Sequence, residues 1–363
     1  MTVLNTAPTL AAPPPLSVRT HTGADLMGRM KALADYIQRG QRVALSRHPG
    51  WLTVLEEGLG HTPYALEAVR GERTVGVLCL AYVKHVIFGR FLVGLPYLNT
   101  GGVVADDAHA AEALINRAVE LADQLGVRYL ELRHEWALDH PAFNDRRGDK
   151  VHMRLDLPVG GKDVLFKQFP AKLRSQIRSG ERNGFTIHWG GEDLLDEFHG
   201  VFSRNMRDLG SPTYGRELFA ATVRRFPGAA EFCVLRDQGK AISVALLLHG
   251  QGVTEVPSAS ALREYNSKNA NMAMYWKLLE RACDRGQEVF DFGRSSEGST
   301  TYRFKKQWGA TPFPAEWQFY LRRGTVGDMR RDNPKYRLKI AIWKRLPLGL
   351  TRVLGPKIVR GIP

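Results

Sequence analysis

The sequence predicts a mixed α/β fold in which one unit, a β-hairpin followed by a helix and a further strand, occurs twice. Three observations predict it. Each half contains a hairpin pattern, each half contains a helix–glycine–strand pattern, and the second patterns align without gaps. In the first copy Tyr64 to Val69 reads as a strand, Gly71-Glu72-Arg73 as a turn and Val75 to Val83 as the returning strand. In the second copy the strands are Glu231 to Arg236 and Ala241 to His249, joined by Asp237-Gln238-Gly239-Lys240. Apolar runs on either side of a short polar turn are the sequence form of a hairpin.

The helix and strand follow in each half. Ala118-Val119-Glu120-Leu121-Ala122, through Gly126 to Glu131-Leu132, lies over Leu278-Leu279-Glu280-Arg281-Ala282, through Gly286 to Asp291-Phe292. Glu120/Glu280, Ala122/Ala282 and Gly126/Gly286 are identical, and Glu131/Asp291 are both acids. Leu114, Ala118, Leu121 and Leu125 form one apolar helix face, and Met272, Trp276, Leu279 and Cys283 the other. Each glycine stands where a helix stops and a strand begins, a place suited to the left-handed conformation. Such units are common singly; the shared order and aligned landmarks indicate duplication.

The 363 residues suggest about two domains. We expect a disordered leader over 1–16, a first domain over 17–160, a second over 161–321 and a tail over 322–363. Hydrophobic content of 44% and charged content of 24% are those of a globular protein. No run approaches the ~18 apolar residues of a membrane span. The leader, with Pro13-Pro14-Pro15 and no basic residue, is unlike a secretory signal. These features indicate a cytoplasmic protein, peripheral at the inner membrane if the tail binds lipid. Cys79, Cys233 and Cys283 are isolated among apolar neighbours, which indicates buried free thiols. No zinc motif, Walker loop or dinucleotide fingerprint occurs, so no tightly bound metal or cofactor is expected.

Net charge is +14, and the tail accounts for most of it. Arg322 to Pro363 carries twelve Lys/Arg against Asp328 and Asp332, leaving the rest of the chain close to balance. Such asymmetry indicates an anionic partner: a membrane surface, a nucleic acid or an anionic glycan.

The richest local signal is Asp291 to Gly309, Asp-Phe-Gly-Arg-Ser-Ser-Glu-Gly-Ser-Thr-Thr-Tyr-Arg-Phe-Lys-Lys-Gln-Trp-Gly. A strand ends in a polar Gly/Ser-rich turn, which can hold side chains over a cleft while the strand stays rigid. The preceding helix, the Asp-Phe-Gly-Arg-Ser and the Phe-Lys-x-x-Trp-Gly resemble the FemAB-type acyltransferases. Hairpin, helix and strand in this order resemble the acyl-CoA N-acyltransferase (GNAT) fold, and two copies resemble the tandem GNAT layout of FemAB-like proteins. The resemblance covers roughly Trp51 to Tyr320 and is most specific in the C-terminal half. Tyr97-Leu98-Asn99-Thr100-Gly101-Gly102 is similar to the family's Tyr/Gly-Gly turn. No sustained heptads indicate the coiled-coil arm of the Gram-positive peptidoglycan enzymes. Asn333-Pro334-Lys335-Tyr336-Arg337 and Gly355-Pro356 resemble the branch associated with exosortase/PEP-CTERM exopolysaccharide systems.

The resemblance implies transfer of an aminoacyl or acyl group from aminoacyl-tRNA or acyl-CoA to an amine on a cell-envelope or exopolysaccharide precursor. It implies that Lys305 supports the tetrahedral oxyanion of that reaction; taken alone, Lys305 would read as an exposed strand lysine. Asp291 would orient a group or accept a proton, and Tyr302 would hydrogen-bond acceptor or leaving group. Arg294, Ser295, Phe304, Trp308, Asn99, Gly101 and Gly102 would contact substrate. In the plainer alternative Asp291 and Arg294 pair with each other or with Glu297. Pro170 to Gly184 reads as a helix with Arg174, Arg178 and Arg182 on one face. That face is either solvated or, as the resemblance implies for Arg174 and Arg178, a phosphate-binding surface for the donor.

Acyl-CoA enzymes of this fold carry a glycine-rich pyrophosphate loop before the helix, whereas Asn266 to Asn271 contains no glycine and Val104-Ala105-Asp106-Asp107 is acidic. An ordinary acyl-CoA-dependent enzyme is thus the alternative reading, and a non-catalytic membrane- or nucleic-acid-binding module is the alternative from another class. In the tail, Tyr336, Ile340 and Trp343 share one helix face among basic residues. This pattern suits an anionic membrane, packing on the protein's own body, or RNA.

Overall fold

The computed structural model describes residues 14–324 and 337–362. The chain begins with β1 (Leu16–His21), α1 (Gly23–Ile37) and α2 (Trp51–Leu59). The predicted first hairpin is β2 (Thr62–Arg70) and β3 (Arg73–His85), followed by β4 (Gly89–Val93), β5 (Val104–Ala105), α3 (Ala108–Gln124) and β6 (Tyr129–His134). A connecting stretch contains β7 (Asp145–Arg147), β8 (Lys150–Asp156), α4 (Gly161–Gln168) and α5 (Ala171–Glu181). The second unit has β9 (Thr186–Gly190), α6 (Leu195–Leu209), α7 (Arg216–Arg225), the hairpin β10 (Ala230–Asp237) and β11 (Lys240–His249), and β12 (Val253–Ala261). It continues with α8 (Ala270–Asp284), β13 (Val289–Ser296), α9 (Thr300–Lys306), β14 (Thr311–Pro314) and β15 (Glu316–Leu321); α10 (Arg337–Arg345) and α11 (Leu348–Val359) follow.

Two mixed sheets result, ordered β1-β2-β3-β4-β6-β15-β7, with β5 beside β3, and β14-β8-β13-β12-β11-β10-β9. The duplicated order is present in three dimensions. Gly126 and Gly286 both take positive φ, +62° and +67°, where helix gives way to strand. The sheets exchange strands across the boundary expected at residues 160 and 161. β8 pairs with β13 in the second sheet, and β15, late in the chain, pairs with β6 in the first. Each exchanged strand supplies the backbone partners that its neighbour would otherwise lack.

The largest apolar core draws on both halves, joining Leu33, Trp51 and Leu55 to Phe198, Phe219 and Phe232. Separate cores fill the other sides of the two sheets, under α3 and under α8. Cys79 and Cys233 are buried and Cys283 is half-buried; all are free thiols, and burial pushes Cys79 up to about 12. The predicted stripe of the tail packs on the body: Trp343 Nε1 donates to Ser211 O and Ile340 lies against Gly210. Tyr336 and Asn333 to Lys335 lie outside the described residues. No helix among the described residues is long and apolar enough to cross a membrane.

Candidate functional site

β12 and β13 run parallel for three residue pairs, ending where Glu255 stands opposite Asp291. Beyond that pair β12 stays with β11 and β13 stays with β8, so the sheet splits. Gly293 sits at the split with φ of +78°, a conformation that side chains resist. A Cβ there would come within 3.3 Å of Asn99 Nδ2 and 3.5 Å of Val256 O. The Gly293 N–H donates to Asp291 Oδ1 at 2.7 Å.

Lys305 reaches this point from α9. It is not an exposed strand residue: it occupies the last turn of a helix capped by Ser299 and is 8% exposed. Its Nζ donates to Gly293 O at 2.9 Å and Arg294 O at 3.0 Å. Two of three ammonium donors are thereby used, which leaves one for a ligand. Burial, aided by Arg294 and opposed by Asp291, pushes the ammonium down to about 8.

Asp291 is buried and pairs with neither Arg294 nor Glu297. Arg154 Nε donates to its Oδ2 at 3.1 Å, and His152 Nδ1 stands 3.6 Å away. Burial alone would raise this carboxyl; His152, Arg154 and the Gly293 N–H together hold it below the usual range. Glu255 beside it behaves oppositely. Burial, and then the Asp291 charge, push Glu255 up to about 7. It accepts from Ser46 N at 2.9 Å and Ser46 Oγ at 2.6 Å, and Ser46 Oγ lies 3.1 Å from Thr100 Oγ1. Asn99 and Thr100 of the first domain therefore complete a site built mainly on the second.

The first sheet splits in the same way after Val93 opposite Glu131, but its own chain fills the gap. Gly101 bridges to Arg133. A Cβ on Gly101 would fall 2.0 Å from Gly94 O, and one on Gly102 would fall 2.2 Å from the His134 ring. The Gly94 carbonyl accounts for Gly101 and the His134 ring for Gly102, and this close packing presents Asn99 to Gly293.

Other expected residues lie elsewhere. Trp308 is fully buried against Phe169, Tyr275 and Phe304, so it and Phe304 serve the second core. Tyr302 packs on that core too. Ser295 is buried with an unpartnered Oγ. Arg294 turns away from Asp291 to lie 3.3 Å from the Trp317 ring centroid. Arg174 reaches Lys167 O, and Arg178 lies over the Phe166 ring; Glu181 pairs with Lys277 and not Arg178. Helix α5 does border the start of α8, where Asn269 Nδ2 meets Ser179 Oγ at 3.3 Å. Asn269 takes φ of +53°, supplying the left-handed turn that a glycine would give.

Two cavities flank the split. A small apolar one, about 60 Å³, lies between Tyr97, Leu98, Pro257 and Leu246. A larger cleft of about 650 Å³ opens at the other end of the parallel pair, lined by Arg42, Arg47, Glu135, Arg154 and Phe313. Arg154 belongs to both places, because it joins Glu135 in the cleft to Asp291 at the split. Sequence reading missed Ser46, Arg154 and Glu255. Ser46 and Glu255 are 209 positions apart and share no motif.

Residues 167–306 match the family described as acetyltransferase (GNAT) domain. This part of the chain is similar to a GNAT domain. The match spans α5, the second hairpin, α8, β13 and α9 with Lys305. The whole chain is similar in fold to a crystal structure of FemX, with TM-score 0.62, 14% identity, and coverage of 88% of this chain and 99% of that one. It is also similar to the L-PGS structure from Bacillus licheniformis (TM-score 0.54, 14% identity, covering 90% and 96%). A tandem GNAT protein from the clavulanic acid biosynthesis pathway gives TM-score 0.51 at 13% identity, covering 84% and 97%. No curated protein matches by sequence. The fold is thus a tandem of two GNAT-like α/β domains.

Proposed function

We propose that the protein is an N-acyltransferase that moves an aminoacyl or acyl group to an amine on a cell-envelope or exopolysaccharide precursor. The observation that carries this reading is the Lys305 ammonium, buried at the split of a GNAT sheet with one donor left over. As the amine nitrogen bonds to the acyl carbon, the carbonyl oxygen becomes an anion, which Lys305 stabilises. The amine proton passes through Thr100 and then Ser46 to Glu255, the bond from acyl carbon to the donor's oxygen or sulfur breaks, and the departing alkoxide or thiolate takes that proton back. The donor is an aminoacyl-tRNA ester or an acyl thioester.

The tail supports placement at a membrane where a lipid-linked acceptor resides. Its inner face packs on α6, where Arg352 Nε donates to Ser203 Oγ. Its outer face exposes Leu338, Ile342, Leu350 and Val353. Seven Lys/Arg and no acid occur between Arg337 and Ile362. Exposed aliphatic residues among cations suit an anionic bilayer surface.

Mass spectrometry of surface-polysaccharide precursors from cells with and without the protein tests the reading. An added acyl or aminoacyl mass that disappears with the protein supports it. Restoration of that mass by a Lys305→Ala variant, at the wild-type level, would remove Lys305 from the chemistry, and a mass that persists without the protein would favour a non-catalytic binding module.

A further inference from the structure

Where the two sheets meet, three guanidinium groups surround one tryptophan. Arg294 of β13 lies 3.3 Å from the Trp317 ring centroid, Arg133 of β6 4.0 Å and Arg147 of β7 5.7 Å. Trp317 is 5% exposed and Arg133 2%. Arg133 has a carboxylate, with its Nε donating to Glu131 at 2.7 Å, and its Nη1 donates to Leu98 O at 2.6 Å, which leaves Nη2. Arg147 has Asp149 at 3.5 Å but no hydrogen bond on its Nε. Arg294 has no ion pair among the described residues, and its buried Nε has no partner. Trp317 Nε1 is likewise buried and unpartnered. Stacking on an indole offsets part of the cost of burying a cation, but an unpaired buried guanidinium with unmet donors is destabilising. Arg147 is partly exposed, which leaves a way in from solvent.

We propose that Arg294, Arg147 and Arg133 form an interdomain site for a phosphoryl group, with Trp317 as its floor. Guanidinium forks match phosphate oxygens two at a time. The ligand class is a phosphorylated acceptor, either a sugar phosphate or the diphosphate of a lipid carrier. This rests on the acyl-transfer reading, since Arg294 O accepts from Lys305 Nζ and places the anion beside the reacting centre. An anion on Arg294 would also relieve the repulsion that this cation exerts on the Lys305 ammonium.

The test is thermal melting and calorimetry of the full-length protein with inorganic pyrophosphate, inorganic phosphate and citrate, at matched ionic strength. Wild type is expected to show saturable stabilisation by pyrophosphate. Arg294→Gln should melt at or above the wild type without ligand, and lose about ten- to a hundredfold in pyrophosphate affinity. Arg147→Gln should weaken binding with unchanged melting. The proposal is overturned by a wild type that ignores pyrophosphate and phosphate. It is also overturned by saturation with citrate alone, or by an Arg294→Gln variant that melts lower yet binds as before. Transfer activity without pyrophosphate binding would remove this site alone, whereas binding without transfer would remove the acyltransferase reading alone.

Discussion

Replacing Glu255 by Gln should stabilise the protein at alkaline pH and leave its stability nearly unchanged in acid. Burial and the neighbouring Asp291 raise this carboxyl from 4.5 to about 7 in the folded chain. The folded state therefore holds the Glu255 proton more tightly than the unfolded state does. The stability that this supplies is complete below about pH 4.5 and is lost as pH rises to about 7. A shift of that size corresponds to roughly 3 kcal/mol at about 1.4 kcal/mol per unit. Gln reproduces the protonated acid: its carbonyl accepts from Ser46 N while its amide donates to Ser46 Oγ, whose hydrogen turns toward Thr100. Denaturant unfolding of both proteins at pH 5 and pH 8.5 measures the difference. The variant should lie within about 1 kcal/mol of wild type at pH 5 and be more stable by about 2–4 kcal/mol at pH 8.5. An equal difference at both pH values would show that Glu255 does not titrate between them, and the proton-acceptor role would fall with it.

Lys305→Ala should lower turnover by about 10²–10³ while the protein still folds, as expected for loss of one oxyanion donor; near-normal turnover would exclude it from the mechanism. Because the proposed mechanism needs Glu255 ionised and Lys305 protonated, activity should rise through about pH 7 and fall through about pH 8. A profile flat from pH 6 to 9 would contradict both assignments. Arg174→Ala combined with Arg178→Ala should weaken donor binding, measured by calorimetry; unchanged affinity would mean that this face is only solvated. Ile342→Glu with Val353→Glu should abolish cosedimentation with anionic vesicles at low salt without lowering the melting temperature. These exposed positions are better probes than truncation, because the inner face of the tail packs on α6.

Local sequence determined the elements of this protein, because strands, turns and helix faces depend on residues a few positions apart. The hairpins at 62–85 and 230–249, the left-handed Gly126 and Gly286, and the duplicated order were all legible in this way. So was the segment holding Lys305, because its Phe-Lys-x-x-Trp-Gly pattern is contiguous. The burial and partners of Lys305 were not legible, since they depend on the carbonyls of Gly293 and Arg294 as placed by the sheet split. Tertiary structure alone decided that Trp308 belongs to the core, that Arg154 pairs with Asp291, and that Arg294 turns to Trp317. It also decided that β8 and β15 cross between the halves. Ser46, Glu255 and Asp291 come from distant stretches of chain; burial and the Asp291 charge raise Glu255, while His152 and Arg154 hold Asp291 down. Local periodicity carries no record of such distance-dependent interactions, so the Ser46–Glu255–Asp291 cluster emerged only when the two sheets were assembled.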